Sequence, residues 1–224
     1  RPSWLEISAE ALAHNVAYVR ERTETYRFFA VVKANAYGHG LPQIVTAAKR
    51  AGVDGFAVAT IDEGVWLRQF GVKLPILILG VTPATYVADL AKYDLIPVVA
   101  SETWLDDALS QLNSEATLTV SVAVDTGMGR IGIRDRAELE RVVAKLNAAD
   151  NVVFQGIGMH FATADGNDTV YFEKQLAKWH ELTDELDLPA DIWRHLANSG
   201  TSLWHEQPST DAVRVGAAMY GFDA

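Results

Sequence analysis

The segment FFAVVKANAYGHG, residues 28–40, joins an apolar run to a lysine and then to small and turn-forming residues. The continuous apolar run is typical of a strand that is buried on both faces, as strands of parallel sheets are. Lys33 follows this run directly, and an unpaired ammonium group in a dry interior costs several kcal/mol. The other lysines lie in polar helical or loop segments: Lys49, Lys73, Lys92, Lys145, Lys174 and Lys178. The position of Lys33 therefore indicates a chemical role.

The composition excludes several classes of function. A chain of 224 residues that is 49% hydrophobic can bury one large core. The net charge of −10 argues against a nucleic-acid surface, which needs a basic footprint. There is no cysteine for a disulfide, a thiolate metal site or a nucleophile, and we predict no metal. The apolar runs are too short to span a membrane and no signal-peptide pattern is present, so we expect a cytoplasmic protein.

Eight short apolar runs alternate with amphipathic segments along the chain. The runs are residues 28–34, 55–60, 76–80, 95–101, 119–127, 156–161, 193–199 and 212–221. Several of the intervening segments start after Ser, Thr or Asp and end near Gly or Asn, as helices do. The alternation predicts an α/β fold, a (β/α)₈ TIM barrel, in a single domain over residues 1–224. A doubly wound sheet is the alternative, but KANAYGHG does not match its G-x-G-x-x-G turn.

An amino-terminal arm, residues 1–25, is expected to precede the barrel strands. We predict a strand at WLEIS (4–8) and a helix over AEALAHNVAYVRER (9–22). Apolar residues at helical spacing support the helix.

Polar residues gather at the predicted carboxyl ends of five strands. Lys33 ends the first strand and His160 ends the sixth. The others are Asp125, Thr126, Gly127 and Arg130 after the fifth strand, His195, Asn198 and Ser199 at the end of the seventh, and Arg214 with Gly216 in and after the eighth. The carboxyl ends of barrel strands meet at one mouth, where such barrels carry their active sites. We therefore expect these residues to form one site.

The last two strands indicate how a cofactor could be held. Ser199 with Gly200, and Gly216 with Ala217, offer a hydroxyl and closely approachable backbone N–H groups where such barrels commonly bind phosphate. A turn-forming role is the alternative for each pair. A phosphate site beside a desolvated lysine predicts pyridoxal 5'-phosphate, because its aldehyde condenses with a neutral amine to give a Schiff base. Lys33 is the candidate amine.

The motifs AVVKANAYGHG, VDTGMGRIGI, HFATAD, HLANSG and VRVGAAMYG resemble those of the alanine racemases, in the same order. The opening RPSWLEISAEALAHNV resembles the amino-terminal arm of that family, so the likeness covers essentially the whole chain. The resemblance implies a fold-type III pyridoxal phosphate barrel. It also implies racemisation of L-alanine to D-alanine, which supplies D-alanine for peptidoglycan.

The resemblance implies a role for each catalytic candidate. Lys33 is similar to the Schiff-base lysine that acts on the D-side α-proton. Arg214 resembles the arginine that faces the pyridine nitrogen, with His195 supporting it. A permanently charged partner keeps that nitrogen unprotonated, which weakens the electron sink and favours reprotonation over transamination. Arg130 corresponds to the arginine near the phenolic oxygen and the substrate carboxylate, and His160 to the histidine that packs against the ring.

The remaining cofactor-binding candidates also come from the resemblance. Tyr37 is similar to a tyrosine near the phosphate, which Ser199, Gly216 and Ala217 would also hold. Asn198 would line the same pocket. For His160 and His195 a hydrogen-bonded core histidine is the alternative reading.

Two departures from the family pattern stand out. Many members carry a carbamylated lysine two residues before the aspartate of DTGMGR, where this sequence has Ala123. We therefore expect a bound anion or water, rather than a protein carboxylate, to pair with Arg130. The family also has a carboxy-terminal β-domain with a catalytic tyrosine for the partner subunit of a homodimer. These 224 residues contain no counterpart of it, so we expect this chain alone to be the cofactor-binding barrel, with impaired activity.

Other functions remain open at this stage. A single-domain pyridoxal phosphate protein of cofactor homeostasis, without racemase activity, fits the length. A racemase of another amino acid, such as serine, fits the motifs. A phosphosugar lyase would share the barrel and the lysine but not the ordered motifs.

Overall fold

Eight short parallel strands form one sheet in the computed structural model. The structure describes residues 3–23, 27–166, 169–206 and 210–222. The strand order is β7-β6-β5-β4-β3-β2-β1-β8. The strands are β1 (Arg27–Val31), β2 (Gly55–Val58), β3 (Ile76–Ile78), β4 (Ile96–Val99), β5 (Leu118–Ala123), β6 (Val152–Gly158), β7 (Trp193–His195) and β8 (Ala212–Val215). Each strand lies beside its neighbour in sequence, with β8 returning to β1, as the predicted (β/α)₈ barrel requires.

Backbone hydrogen bonds also link the segments that contain β7 and β8, at the two ends of the sheet. The Asp211 N–H donates to the Arg194 carbonyl at 2.7 Å, and the Arg214 N–H donates to the Ala197 carbonyl at 3.0 Å. The two ends of the sheet thus lie side by side, and the barrel is nearly closed. The prediction of a TIM barrel is confirmed.

Helices surround the strands. They are α1 (Ala9–Thr23), α2 (Leu41–Arg50), α3 (Ile61–Gln69), α4 (Val87–Lys92), α5 (Glu102–Gln111), α6 (Arg136–Ala148), α7 (Val170–Thr183) and α8 (Ser199–Trp204), with 3₁₀ turns at Ala84–Tyr86 and Ala217–Tyr220. Five helices begin where the sequence offers a capping side chain, and Ser8 caps α1 by accepting from the Ala11 N–H at 3.1 Å. The other four caps are Thr60, Ser101, Asp135 and Asn198, and each likewise accepts a hydrogen bond from a first-turn N–H, which satisfies an otherwise orphaned donor. Within the described ranges, no helix has the length and hydropathy needed to cross a membrane.

Two apolar clusters lie on the two sides of the strands. The larger fills the space between the strands and the helices, with Phe28, Phe56, Ile76 and Leu118 among its buried members. The smaller fills the barrel interior and consists of Phe29, Val31, Ala57, Leu77, Ile96, Val98 and Ala212. Alternate residues of β1 belong to different clusters, because successive side chains of a strand point to opposite faces. Burial on both faces explains why the strands read as continuous apolar runs.

The amino-terminal arm differs from its prediction. The helix forms as α1, but no strand forms over residues 3–8, where Trp4 is 76% and Leu5 is 73% exposed. A strand needs a partner for its backbone N–H and C=O groups, and no described strand pairs with this segment. The predicted boundary of the arm at residue 25 lies outside the described residues.

Candidate active site

Lys33 lies two residues beyond the end of β1, at the start of a left-handed turn. Ala34, Asn35, Ala36 and Tyr37 all have positive φ values, between 52° and 55°. The sequence placed Lys33 on the strand itself, but the strand ends at Val31 and the Val32 N–H makes the last bond, to the Ala57 carbonyl at 2.9 Å. Lys33 is also half-buried rather than enclosed in a dry pocket. The turn places Lys33 at the mouth of the barrel, where it lines a cavity.

Side-chain oxygens hold this turn in place. The Glu63 carboxylate accepts from the Ala34 N–H and from the Ala59 N–H, both at 2.7 Å, so it ties the turn to the loop after β2. The Asn35 side-chain oxygen accepts from the Leu41 N–H at 2.8 Å, at the beginning of α2. Each L-residue in the left-handed region costs roughly 1–2 kcal/mol, so the surrounding structure must hold the conformation.

A cavity of about 480 Å³ opens at this end of the barrel. Its lining includes every catalytic and cofactor-binding candidate: Lys33, Tyr37, Arg130, His160, Asn198, Ser199, Arg214, Gly216 and Ala217. The expectation that Asp125, Thr126 and Gly127 belong to the same site is wrong in that these three residues do not line the cavity. His195 lines it as well. The strand ends bring these residues together although they span more than 180 positions of sequence, and the roles assigned to them stay predictions.

Arg214 lies in the floor of the cavity, where only 5% of it is exposed. It donates to the Met159 carbonyl at 2.7 Å, to the His195 carbonyl, and to Nδ1 of His195 at 2.8 Å. Nδ1 of His160 lies 3.3 Å from the same guanidinium. Desolvation, with a smaller effect of Arg130, lowers the pKa of Arg214 to about 10, so its guanidinium stays charged at neutral pH.

Both histidines beside Arg214 are held neutral. Burial is the main cause, followed by repulsion from Arg214, Arg130 and Lys33, and it lowers the pKa of His160 to about 3. Burial and Arg214 lower the pKa of His195 well below its usual value. The cavity therefore contains cationic lysine and arginine groups beside uncharged imidazoles, which suits an anionic ligand.

Another part of the cavity lining comes from the loops after β7 and β8. The Ser199 hydroxyl accepts from the N–H groups of Gly216 at 3.1 Å and Ala218 at 3.3 Å. A Cβ at Gly216 would lie 2.7 Å from the Tyr37 hydroxyl, so only glycine allows Tyr37 to approach this backbone. Burial raises the pKa of Tyr37, which keeps its hydroxyl protonated and able to donate. This corner, formed by Ser199, Gly216 and Tyr37, offers two hydroxyl groups to a ligand, and a ligand can approach the backbone of Gly216 closely.

Arg130 lies at the rim and is exposed. In the part of the chain that the structure describes, it has no ion pair with a carboxylate. The neighbouring Asp125 pairs with Arg134 at 2.8 Å instead, and accepts from the Gly127 and Gly129 N–H groups at 3.0 Å. Burial opposes ionisation of Asp125, but these partners outweigh it and lower its pKa. Asp125 thus holds its own loop in place. A protein carboxylate paired with Arg130 would have excluded the predicted anion or water, and the described residues show no such pair.

Several lining and supporting residues were not picked out from the sequence. Met128 and Asp165 line the cavity and lie within the quoted motifs VDTGMGRIGI and HFATAD, but no chemical argument selected them. Glu63 bonds to the Ala34 N–H in the turn after Lys33, Ser121 bonds to His195, and neither stands at a predicted strand end. His39, whose role was undecided, stacks on Tyr220 with ring centroids 4.6 Å apart.

The fold and this cavity define a (β/α)₈ barrel whose site gathers a lysine, two arginines and two neutral histidines at the carboxyl ends of the strands. A family model described as alanine racemase, N-terminal domain, matches residues 7–224, and the chain belongs to that family.

Individual relatives agree with this assignment. The alanine racemase of Ligilactobacillus salivarius is 45% identical over 97% of this chain and 59% of that protein. The lysine racemase of Oenococcus oeni is 39% identical over 100% of this chain and 60% of that protein. The crystal structure of alanine racemase from E. faecalis matches with a TM-score of 0.94 and 43% identity, over 99% of this chain and 60% of that chain. The chain thus spans about three fifths of the length of these relatives.

Proposed function

We propose that this chain is the cofactor-binding barrel of a pyridoxal phosphate-dependent racemase whose substrate is alanine. One observation carries the proposal: Lys33, the Arg214–His195–His160 cluster and the Ser199–Gly216 corner line a single cavity. The relatives in the family supply the activity by analogy.

The residues of the cavity fit the cofactor. A volume of about 480 Å³ accommodates a small aromatic phosphate ester. The Ser199 hydroxyl, the Tyr37 hydroxyl and the close backbone at Gly216 and Ala217 would hold the phosphate, and Asn198 would line the pocket beside them. Arg214 would face the ring nitrogen and His160 would pack against the ring. When bound, the cofactor withdraws electrons from the substrate α-carbon.

The chain's own residues would then bind the substrate and move its proton. Lys33 would hold the cofactor and remove or return the α-proton on one face. Arg130, which is exposed at the rim, would bind the substrate carboxylate. Arg214 would place a fixed positive charge at the ring nitrogen, and this charge opposes its protonation. His160, being neutral, would pack against the ring without adding charge to the site.

The substrate and the assembly are part of the same proposal. Alanine is favoured by the names of most relatives, whereas the lysine racemase of Oenococcus oeni shows that a protein this similar can act on a longer side chain. Racemisation of alanine in the cytoplasm would supply D-alanine for peptidoglycan. A homodimer with shared active sites would supply the group that acts on the opposite face.

The test is to load the chain with pyridoxal phosphate, treat it with borohydride and locate the attached cofactor by peptide mass spectrometry. The loaded chain is then incubated in D₂O with L- and D-alanine, serine and lysine, and α-proton exchange is followed by NMR. We expect attachment at Lys33 and the fastest exchange with alanine. Attachment without exchange of any amino acid would favour a cofactor-homeostasis protein, and attachment elsewhere would refute the proposal.

A further inference from the structure

Three buried polar side chains form a hydrogen-bonded row across the barrel interior, below the cavity. Nη1 of Arg214 lies 2.8 Å from Nδ1 of His195, and Nε2 of His195 lies 2.7 Å from the Ser121 hydroxyl. The exposed fractions are 5% for Arg214, 7% for His195 and 1% for Ser121. Ser121 is thus the most deeply buried member, and it does not line the cavity.

The donors and acceptors of this row fix the protons on His195. A guanidinium has N–H donors and no acceptor, so Nδ1 of His195 must present its lone pair to Arg214. The ring proton then lies on Nε2 and is donated to the Ser121 oxygen. With the proton on Nδ1, or with both ring nitrogens protonated, an N–H of His195 would face an N–H of Arg214, and neither group could accept. The lowered pKa of His195 agrees with a neutral ring.

The backbone around the row is shaped to admit it. The register of β5 against β6 shifts between Val120 and Ser121, which brings Gly156 opposite Ser121. A Cβ at Gly156 would lie 3.0 Å from the Ser121 hydroxyl, and one at Gly158 would lie 2.1 Å from Nδ1 of His195. Two glycines on one strand therefore leave the space in which the imidazole lies.

We propose that Ser121 is a positioning residue: by accepting the Nε2 proton of His195 it fixes the imidazole tautomer whose Nδ1 lone pair orients Arg214. The link from Arg214 to the cofactor rests on the proposed function. The tautomer and the orientation of Arg214 do not, because they follow from contacts within this chain.

The first experiment uses the chain without cofactor, labelled with ¹⁵N, and determines the protonation of His195 by long-range ¹H–¹⁵N correlation. We expect a single neutral tautomer with its proton on Nε2. In Ser121→Ala we expect that proton to exchange with solvent about tenfold faster and the guanidinium signals of Arg214 to shift, because a buried hydrogen bond is lost. Ser121→Thr, which keeps the hydroxyl, should stay near wild type, and Ser121→Cys should lie between.

The matched control is Thr183→Val, which removes another buried hydroxyl, one that donates to the Trp179 carbonyl within α7 and not to the row of Arg214, His195 and Ser121. It should leave both sets of signals unchanged. A proton on Nδ1 in the wild type, or a folded Ser121→Ala or Ser121→Cys protein with unchanged exchange and Arg214 signals, would overturn the proposal.

The second experiment loads the same variants with pyridoxal phosphate and records the absorbance of the bound cofactor against pH. If Arg214 is displaced, the midpoint of the pH-dependent change should move in Ser121→Ala and not in Thr183→Val. An unmoved midpoint alongside altered Arg214 signals would refute the functional part of the proposal. If the wild-type chain captures no cofactor, the proposed function fails while the tautomer result stands.

Discussion

At the scale of single residues, the location of Lys33 gives a direct test of the site. No other lysine lines the cavity within the described residues, so no second amine can replace it. We expect Lys33→Ala to abolish covalent capture of pyridoxal phosphate, seen as loss of the mass increase after borohydride treatment. The circular dichroism spectrum should not change, because Lys33 lies on a half-buried turn and not in the core.

The control for this variant is Lys92→Ala, which removes an exposed lysine on α4. It should retain full capture. If a folded Lys33→Ala protein still captures the cofactor fully at another single residue, the assignment of Lys33 is wrong.

His160 makes a prediction about pH and stability. The folded chain holds the pKa of His160 at about 3, whereas an unfolded histidine titrates near 6.5. Between these values the unfolded state binds one more proton, so the free energy of unfolding should fall as the pH drops from about 6.5 towards 3. The contribution approaches about 1.4 kcal/mol per pH unit in the middle of this range. Urea unfolding at several pH values measures it.

His160→Gln should reduce the dependence of the free energy of unfolding on pH by up to about 1.4 kcal/mol per pH unit, the slope that one proton contributes. His180→Gln, at an exposed position on α7, serves as the control and should leave most of the slope in place. Equal slopes for the wild type and His160→Gln would show that His160 is not held neutral by the fold.

At the scale of elements, the left-handed turn after β1 combines strain with a position at the site. Four consecutive non-glycine residues adopt the αL conformation, which L-residues avoid because Cβ approaches the following carbonyl. Ala34 is exposed, so its methyl group makes little packing contribution to offset this cost. We expect Ala34→Gly to raise the free energy of unfolding by about 0.5–1 kcal/mol, after allowing for the greater freedom of glycine in the unfolded chain.

Ala144→Gly is the matched control, because Ala144 is exposed in the middle of the right-handed helix α6. The same substitution there should lower the free energy of unfolding by about 1 kcal/mol. Thermal and urea unfolding of both variants gives the comparison. If both changes have the same sign, the turn at Ala34 does not store the strain that its dihedral angles indicate.

The elements also show what could be predicted from the sequence. Strands buried on both faces read as continuous apolar runs, and helices start at capping residues. Because both features can be read from a short stretch of sequence, the order of the barrel strands and helices was predicted correctly. The ends of the strands were not: the sequence extended β7 to Ser199, but the strand stops at His195 and Asn198 already caps α8. The strand at WLEIS failed because a strand depends on a partner, and its own residues do not reveal whether one is present.

The site was predictable to the extent that its residues lie at strand ends. Lys33, Arg214 and Ser199 stand out because polar or charged residues there interrupt apolar runs. Ser121 could not be found in this way, because a serine inside a strand is unremarkable until the register shift and Gly156 bring it against His195. The left-handed turn was hidden as well, since alanine and tyrosine do not mark αL positions.

At the scale of the whole molecule, the open mouth of the barrel limits what residues 1–224 can do alone. Racemisation needs one group to remove the α-proton on one face and another to deliver a proton on the opposite face. Lys33 can serve one face. We expect the second group to be a tyrosine from the second domain of a partner subunit, as the family resemblance implies. This chain spans about three fifths of the length of its relatives.

We therefore expect the 224-residue chain to capture pyridoxal phosphate through Lys33 but to racemise alanine about 10²–10⁴-fold more slowly than a full-length relative, which is the usual cost of losing a positioned acid or base. Chiral chromatography measures turnover from L- and D-alanine. In D₂O the α-proton of D-alanine should exchange faster than the enantiomers interconvert, because Lys33 can remove and return a proton on its own face. Tyr37→Phe tests the one tyrosine known to line the described cavity. If the chain matches a full-length relative and Tyr37→Phe abolishes that turnover, the second proton comes from within the barrel and the two-domain mechanism is wrong.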